Sequence, residues 1–220
     1  MPVLAKYDDI AEWYDDFAAR GAQNCRRHLV ELLGPGDGPC LDLACGTGLN
    51  FAAIRDSGRT PVGVDLSAGQ LRIASQREPA IVRADAAALP FADATFSAAT
   101  AVWLSTDVDD FAAVLREGAR VLTPGSQLVF YGVHPCFNGP CIERTESGSR
   151  IIHPTYRDTG WHQESPWWGI DGVRSRVGMR HVPLAEFLNA FVQAGLEIRQ
   201  VLEPDAEPVP FILALLARRS

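Results

Sequence analysis

The chain has 220 residues, of which 47% are hydrophobic and 21% are charged, a composition typical of one globular domain. Its net charge of -7 at pH 7 disfavours nucleic acid as a partner, because proteins that bind phosphate backbones usually present a basic face. No apolar stretch approaches the roughly 18 residues that cross a bilayer, and the N-terminus lacks the apolar core of a secretory signal. We therefore expect no membrane partner, and the five cysteines without disulfide spacing favour a reducing cytoplasm.

Apolar runs separated by Gly, Pro and Asp predict an alternation of helices and strands. Helices are expected in residues 5–33, 50–56, 67–76, 109–121 and 184–194, with Ser67 as an N-cap. Strands are expected in residues 40–44, 61–65, 80–85, 96–103, 127–133, 196–202 and 210–217. This order indicates an α/β fold with an open, mostly parallel sheet. The short link between the last two strands predicts an antiparallel edge.

Residues 134–181 differ from the rest of the chain. They contain Trp161, Trp167, Trp168 and four of the five histidines, and they show no period of 2 or 3.6. We interpret this segment as an insertion that covers the substrate, and residues 1–33 as a helical lid. The whole chain, 1–220, is then a single domain.

The loop after the first predicted strand is the most informative part of the sequence. Gly46 and Gly48 let the backbone approach a ligand closely where the strand turns into a helix. Asp42 places a carboxylate before these glycines, and a negative charge there would oppose the pyrophosphate of a dinucleotide. A ligand without phosphate and with a positive centre suits this loop better. S-adenosylmethionine, with its sulfonium and ammonium groups, is such a ligand.

Five motifs in order resemble those of the class I S-adenosylmethionine-dependent methyltransferases, in particular the small-molecule branch. They are the glycine loop 41–48, Asp65 at the end of the second strand, the Ser-x-x-x-Leu of 67–71, the segment 85–91 and the Arg-Val-Leu-Thr-Pro-Gly of 120–125. The resemblance spans nearly the whole chain apart from residues 134–181. It implies a Rossmann-like seven-stranded sheet with helices on both faces and an antiparallel edge strand. Trp103 and the residues after it depart from the pattern, since many relatives carry histidine there.

The resemblance also implies which residues contact the cofactor. Asp65 would accept both ribose hydroxyls, Asp85 the adenine amino group, and Asp42 would help to orient the methionine ammonium. Tyr14 resembles the N-terminal tyrosine that closes over the cofactor, although a core role is nearly as well supported. The implied cofactor-binding residues are Tyr14, Asp42, Ala44, Gly46, Gly48, Asn50, Asp65, Leu66, Gln70, Asp85, Ala86 and Val102.

The substrate side of the site is less clearly marked. His134 follows the fifth strand and is a candidate general base, with a hydrogen-bonding or packing role as the alternative. Tyr7, Trp103, Trp161 and Trp168 are candidates for a substrate wall, against the plainer interpretation that they form part of the core. The spacing of the histidines and cysteines fits no closed zinc site, so no metal is expected.

These observations predict a methyltransferase that moves a methyl group from S-adenosylmethionine to an O or N atom of a small, aromatic or heteroaromatic metabolite. We expect a monomer or homodimer. Two alternatives stay open: an enzyme of this fold that uses the cofactor for another reaction such as cyclisation, and an NAD(P)-dependent oxidoreductase. The oxidoreductase would need a third glycine near Asn50 or Phe51, and the sequence has none there.

Overall fold

The computed structural model describes residues 5–78, 80–204 and 207–220. The helices are α1 (Ala11–Ala19), α2 (Ala22–Leu33), α3 (Phe51–Asp56), α4 (Ala68–Ala74), α5 (Phe111–Val121), α6 (Val173–Val177) and α7 (Leu184–Gln193). The strands are β1 (Pro39–Leu43), β2 (Thr60–Asp65), β3 (Ile81–Arg83), β4 (Phe96–Val102), β5 (Leu122–Val133), β6 (Ile142–Arg144), β7 (Arg150–Ile152), β8 (Gly160–His162), β9 (Met179–His181), β10 (Leu196–Leu202) and β11 (Ile212–Arg219).

Seven of these strands form one sheet in the order β10-β11-β5-β4-β1-β2-β3. The strands from β1 to β5 pair in parallel, whereas β11 runs antiparallel to both β5 and β10. The predicted α/β sheet is therefore confirmed. The antiparallel strand β11 lies one position in from the edge, because the last two strands form a hairpin whose second strand joins β5.

The sheet is covered on both faces because its strands alternate their side chains. Leu41 and Leu43 of β1 belong to a core that includes Phe111 of α5 and Phe187 of α7. Cys40 belongs to the core on the other face, with buried residues of α2, α3 and α4. By the same alternation Asp42 lies on the Cys40 face, among apolar neighbours.

Several boundaries differ from the prediction. The predicted helical segment 5–33, with helical parts expected around 7–14 and 25–33, contains a short 3-10 turn, α1 and α2, with Gly21 at the break between the two helices. β5 begins five residues earlier than the predicted residue 127 because Thr123-Pro124-Gly125 joins the strand. The cap of α4 is as predicted: Ser67 Oγ accepts a hydrogen bond of 3.1 Å from the backbone N–H of Gln70.

Residues 134–181 fold into short elements beside the sheet. β6 and β7 form an antiparallel hairpin, and β8 pairs antiparallel with β9. Elements this short bury few side chains in a regular pattern, which is why the sequence of this segment shows no period. Within the part of the chain that the structure describes, no helix is long and apolar enough to cross a membrane.

Candidate active site

Two cavities lie at the carboxyl ends of the parallel strands, where ligands bind in open α/β sheets. The larger has a volume of about 680 Å³ and the smaller about 210 Å³. They share a wall made of Tyr14, Ala44, Gly46, Val102 and Trp103. Every residue of this shared wall comes from α1, from the loop after β1, or from the end of β4.

Backbone geometry also distinguishes this wall. Ala44 has φ +51° and Trp103 has φ +61°, conformations that residues with a Cβ rarely adopt. Each residue directly follows a central parallel strand, β1 or β4 respectively. Strained residues of this kind are typical of ligand-binding sites, where the surrounding structure holds them in place.

The smaller cavity is lined by two carboxylates at strand ends. Asp65 Oδ2 accepts a hydrogen bond of 2.8 Å from the N–H of Gly46, and its Oδ1 accepts one of 2.8 Å from the N–H of Ser67. Asp85 Oδ1 accepts a hydrogen bond of 2.9 Å from the N–H of Ala87. Both carboxylates are held in place by backbone, with further acceptor capacity left on each.

These residues fit the adenosine part of the predicted cofactor. A carboxylate oxygen has two lone pairs, so Asp65 can accept two ribose hydroxyls in addition to its two backbone donors. Gln70 is 2% exposed, and neither its side-chain oxygen nor its nitrogen has a hydrogen-bond partner among the described residues. Buried amides of this kind are usually satisfied, so its unpaired state indicates a missing polar ligand. Gly46 has φ +56°, a backbone conformation that favours glycine, and a Cβ there would lie 3.3 Å from Gln70 Oε1.

Asp42 lies behind this wall and lines neither cavity. Its side chain is fully buried, and Thr100 Oγ1 donates a hydrogen bond of 2.7 Å to Oδ1. Burial raises the pKa of Asp42 to about 7, against the lowering effect of the Thr100 hydrogen bond. The predicted contact of Asp42 with the methionine ammonium stays a prediction.

The N-terminal segment contributes residues to the wall of the smaller cavity. Tyr7 lines this cavity and donates a hydrogen bond of 2.6 Å to Asp107 Oδ1. Arg174, from the inserted segment, donates to both oxygens of Asp107 at 2.6 and 3.1 Å. Burial, followed by the charge of Asp107, raises the pKa of Tyr7 well above its usual value, so its hydroxyl stays protonated as a donor.

Asp8 fixes the same segment to α4. Its Oδ1 accepts hydrogen bonds from Ser67 Oγ at 2.6 Å and from the N–H of Gly69 at 3.0 Å. A Cβ at Gly69 would lie 2.4 Å from the carbonyl oxygen of Asp8, so the approach of the two segments requires glycine.

The larger cavity is mainly apolar and aromatic. Its wall includes Trp103 and Trp168 from the predicted set, together with Tyr131, Phe137 and Trp167. Trp103 packs edge-on against Tyr131 with ring centroids 5.4 Å apart. Trp167 stacks on His153 with centroids 4.1 Å apart. Such walls suit a flat ring.

Comparison with known proteins identifies this arrangement. The sequence profile of the family described as "Methyltransferase domain" matches residues 41–130, which contain the glycine loop, Asp65, Asp85 and the end of β4. A solved S-adenosylmethionine-dependent methyltransferase from Mesorhizobium loti is 25% identical, with a TM-score of 0.68 over 89% of this chain and 96% of that chain. Residues 41–130 therefore match a methyltransferase domain, and the fold is similar to that of an S-adenosylmethionine-dependent methyltransferase.

Several curated proteins to which this chain is similar are named demethylmenaquinone methyltransferase. The protein from Renibacterium salmoninarum is 38% identical over 146 residues, which are 63% of this chain and 61% of that protein. The protein from Mycobacterium marinum is 44% identical over 133 residues, 58% of this chain and 57% of that protein. The chain thus spans less than two thirds of the length of these relatives.

Most residues predicted to contact the cofactor lie on a cavity wall. The smaller cavity is lined by Tyr14, Ala44, Gly46, Asp65, Leu66, Gln70, Asp85, Ala86 and Val102, with Tyr7 from the predicted substrate set. Asn50 lines the larger cavity. Gly48 lines neither; a Cβ there would lie 2.4 Å from the ring of Phe51, so this glycine makes room for α3.

Two residues predicted to contact the substrate lie outside both cavities. His134 is 5% exposed, its Nδ1 accepts the N–H of Cys136 at 3.1 Å, and its Nε2 lies 3.1 Å from Glu203 Oε1. Both ring nitrogens are therefore engaged, and the geometry gives no support to a role as general base. Trp161 carries Lys6 Nζ over its ring at 3.7 Å and lines neither cavity.

Several residues that line the larger cavity were not predicted from the sequence. Tyr131 and Val133 lie inside β5, and Phe211 and Ile212 lie at the start of β11. The alternation of side chains along β5 places Tyr131 and Val133 on the same face, a signal that could have been used. Arg174 and Asp107 are 67 residues apart in sequence, and nothing in the sequence marks them as partners.

Proposed function

We propose that this chain transfers a methyl group from S-adenosylmethionine to a small, flat aromatic or heteroaromatic metabolite. The observation that carries the proposal is the wall shared by the two cavities. On one side lie the carboxylates that suit adenosine, and on the other lies an aromatic cavity. A donor and an acceptor that occupy the two cavities would meet at Trp103 and Gly46. The name of the curated relatives, which specifies demethylmenaquinone, is consistent with a ring acceptor.

When bound, S-adenosylmethionine supplies a methyl carbon that its sulfonium activates toward attack. The residues of this chain contribute binding, orientation and the exclusion of water. Asp65 and Asp85 would hold the nucleoside end, and Ala44 and Gly46 belong to the wall that the two cavities share. Tyr7, tied to Asp107 and Arg174, closes the cavity toward solvent.

The wall of the larger cavity has few groups that could act as a general base. Its described wall residues include no His, Asp or Glu, and burial raises the pKa of Cys45 and Tyr14 above their usual values. An acceptor that attacks through O or N must therefore supply its own nucleophile, as an acidic phenol or a ring nitrogen does. Alignment by the protein then provides most of the rate enhancement.

The remaining predictions about this protein stay predictions. The net charge of -7 supports an acceptor other than nucleic acid, and the five free cysteines support a cytoplasmic location. A monomer or homodimer is expected. The lid formed by residues 1–33 and the covering role of 134–181 are supported by the contacts of Tyr7, Asp8 and Arg174 described above.

The experiment that tests the proposal has two steps. First, calorimetry compares binding of S-adenosylhomocysteine with binding of NAD; binding of the former alone is expected. Second, the protein is incubated with S-adenosylmethionine and pools of phenolic and heteroaromatic compounds, and S-adenosylhomocysteine is measured by mass spectrometry. Conversion of an acceptor without formation of S-adenosylhomocysteine would contradict methyl transfer and favour another reaction on this fold.

A further inference from the structure

The wall of the larger cavity has a charge opposite in sign to that of the chain. Among its described residues are four arginines, Arg20, Arg144, Arg150 and Arg174, and no aspartate or glutamate. The chain as a whole has a net charge of -7. A local excess of positive charge in an acidic protein favours an anion in that cavity.

Two of these arginines are not available as a binding pair. Arg174 is neutralised by its two hydrogen bonds to Asp107. Arg20 lies on the exposed surface at the end of α1. The arginines that remain are Arg144 and Arg150, in the β6–β7 hairpin and outside the part of the chain that matches the family profile.

Arg144 and Arg150 stand directly opposite each other across the hairpin. Like charges in this position destabilise a strand pair unless an anion neutralises them. Both approach one carboxylate oxygen, Oε2 of Glu207, with Arg144 Nη2 at 2.8 Å and Arg150 Nη2 at 3.9 Å. One carboxylate between two guanidinium groups leaves a net positive charge.

Within the described part of the chain, the guanidinium group of Arg150 has an unpaired hydrogen-bond donor. Its side chain is 4% exposed, and its Nη1 donates a hydrogen bond of 2.9 Å to the carbonyl oxygen of Gly148. Its Nη2 makes no hydrogen bond to any described residue. Arginine does not lose its proton in proteins, and a buried donor without an acceptor is costly. An anion bound beside Arg150 would remove that cost.

We propose that the methyl acceptor is a flat aromatic compound that carries an anionic oxygen group, a carboxylate or a phosphate, bound by Arg150 with Arg144. This inference rests on the proposed function and specifies its acceptor. The ring packs among Trp103, Phe137 and Trp168, while the planar guanidinium of Arg150 binds the two oxygens of the anion. The relatives' printed acceptor, demethylmenaquinone, is neutral, so the hairpin would mark a difference in substrate class.

The test measures binding of matched probes, with and without S-adenosylhomocysteine, by calorimetry. The probes are 2-naphthoate, 2-naphthyl phosphate and the neutral 2-naphthamide. The wild-type protein is expected to bind at least one anionic probe about tenfold or more tightly than the amide, a difference of about 1.4 kcal/mol. Which anion binds more tightly distinguishes a carboxylate acceptor from a phosphate acceptor.

The variants Arg150→Gln and Arg144→Gln are expected to lose this preference while they keep their affinity for the amide. Arg199→Gln, on the exposed side of β10, is the control and is expected to keep it. Because Arg144 is half exposed, its variant remains informative if Arg150→Gln fails to fold. Equal affinity for anionic and neutral probes, or no binding of any probe, would overturn the proposal. If the wild-type protein does not bind S-adenosylhomocysteine, the proposed function is contradicted. The preference for anionic probes, measured without S-adenosylhomocysteine, would then still test the arginine site.

Discussion

The backbone N–H of Gly46 donates a hydrogen bond of 2.8 Å to Oδ2 of Asp65. This contact joins the loop after β1 to the end of β2, so the glycine loop and the carboxylate proposed to bind the ribose form one unit. Asp65 also accepts from Ser67, which begins α4. A change at Asp65 therefore alters both the binding group and the shape of the loop.

Replacement of Asp65 by Asn should weaken cofactor binding. The amide keeps one acceptor oxygen, so it cannot serve Gly46, Ser67 and two hydroxyls together. Loss of charge-assisted hydrogen bonds predicts a reduction in affinity for S-adenosylhomocysteine of about 1–3 kcal/mol, measured by calorimetry. The matched control is Asp56→Asn, an exposed carboxylate paired with Arg26. Wild-type affinity in Asp65→Asn would show that the carboxylate does not bind the ribose.

Replacement of Asp42 by Asn should change how stability depends on pH. The folded-state pKa of Asp42, about 7, lies above that of an aspartate in an unfolded chain. The folded protein therefore holds an extra proton between about pH 4 and pH 7. The stability associated with this proton is fully present below about pH 4 and is lost as the pH rises through 7, by as much as about 4 kcal/mol.

Denaturant unfolding of wild type and Asp42→Asn at several pH values measures this effect. The difference in unfolding free energy between the two proteins should shift in favour of the variant from pH 4 to pH 8. Thr100→Val removes the hydrogen bond to Asp42 Oδ1, and that bond lowers the pKa of Asp42. The unfolding free energy of Thr100→Val should therefore fall more between pH 4 and pH 8 than that of the wild type. A constant difference across this pH range would mean that Asp42 titrates normally.

An added methyl group at Gly69 should open the N-terminal segment. The Cβ would lie 2.4 Å from the carbonyl oxygen of Asp8, a backbone atom that cannot move without displacing the turn that carries Tyr7. We expect Gly69→Ala to speed dissociation of S-adenosylhomocysteine, as followed by stopped-flow tryptophan fluorescence. Gly21→Ala is the control, since a Cβ there would meet nothing within 4 Å. Equal dissociation rates in the two variants would exclude this segment as a lid.

Substitution of His134 should affect stability more than turnover. In His134→Phe the buried N–H of Cys136 loses its acceptor, which predicts a loss of about 1–3 kcal/mol in unfolding free energy. His134→Asn can supply an acceptor oxygen in the place of Nδ1 and should recover part of that loss. Turnover is measured in both variants with an acceptor from the screen. A large fall in turnover with normal stability would restore the histidine as a general base.

The sequence predicted the sheet because each strand is a short apolar run bounded by turn residues, as in Pro39–Leu43. It also predicted that Asp65 ends the second strand and that Ser67 caps the next helix, since both depend on local patterns. The left-handed conformation of Trp103 was not predictable, because the packing around the strand end imposes it. The contact between Tyr7 and Asp107 spans 100 residues and leaves no periodic signal. The place of His134 after β5 could be read from the sequence, but the hydrogen bonds of its two ring nitrogens could not, because they depend on the tertiary structure.

One indole ring, that of Trp103, stands between the two cavities and takes part in lining both. A smaller side chain there would let a bulkier acceptor extend into the smaller cavity. The same change would lower the affinity for the proposed methyl donor. A single position, Trp103, therefore sets the substrate range against the affinity for the cofactor. A variant that accepts larger substrates would need a second change in the wall to recover its cofactor affinity.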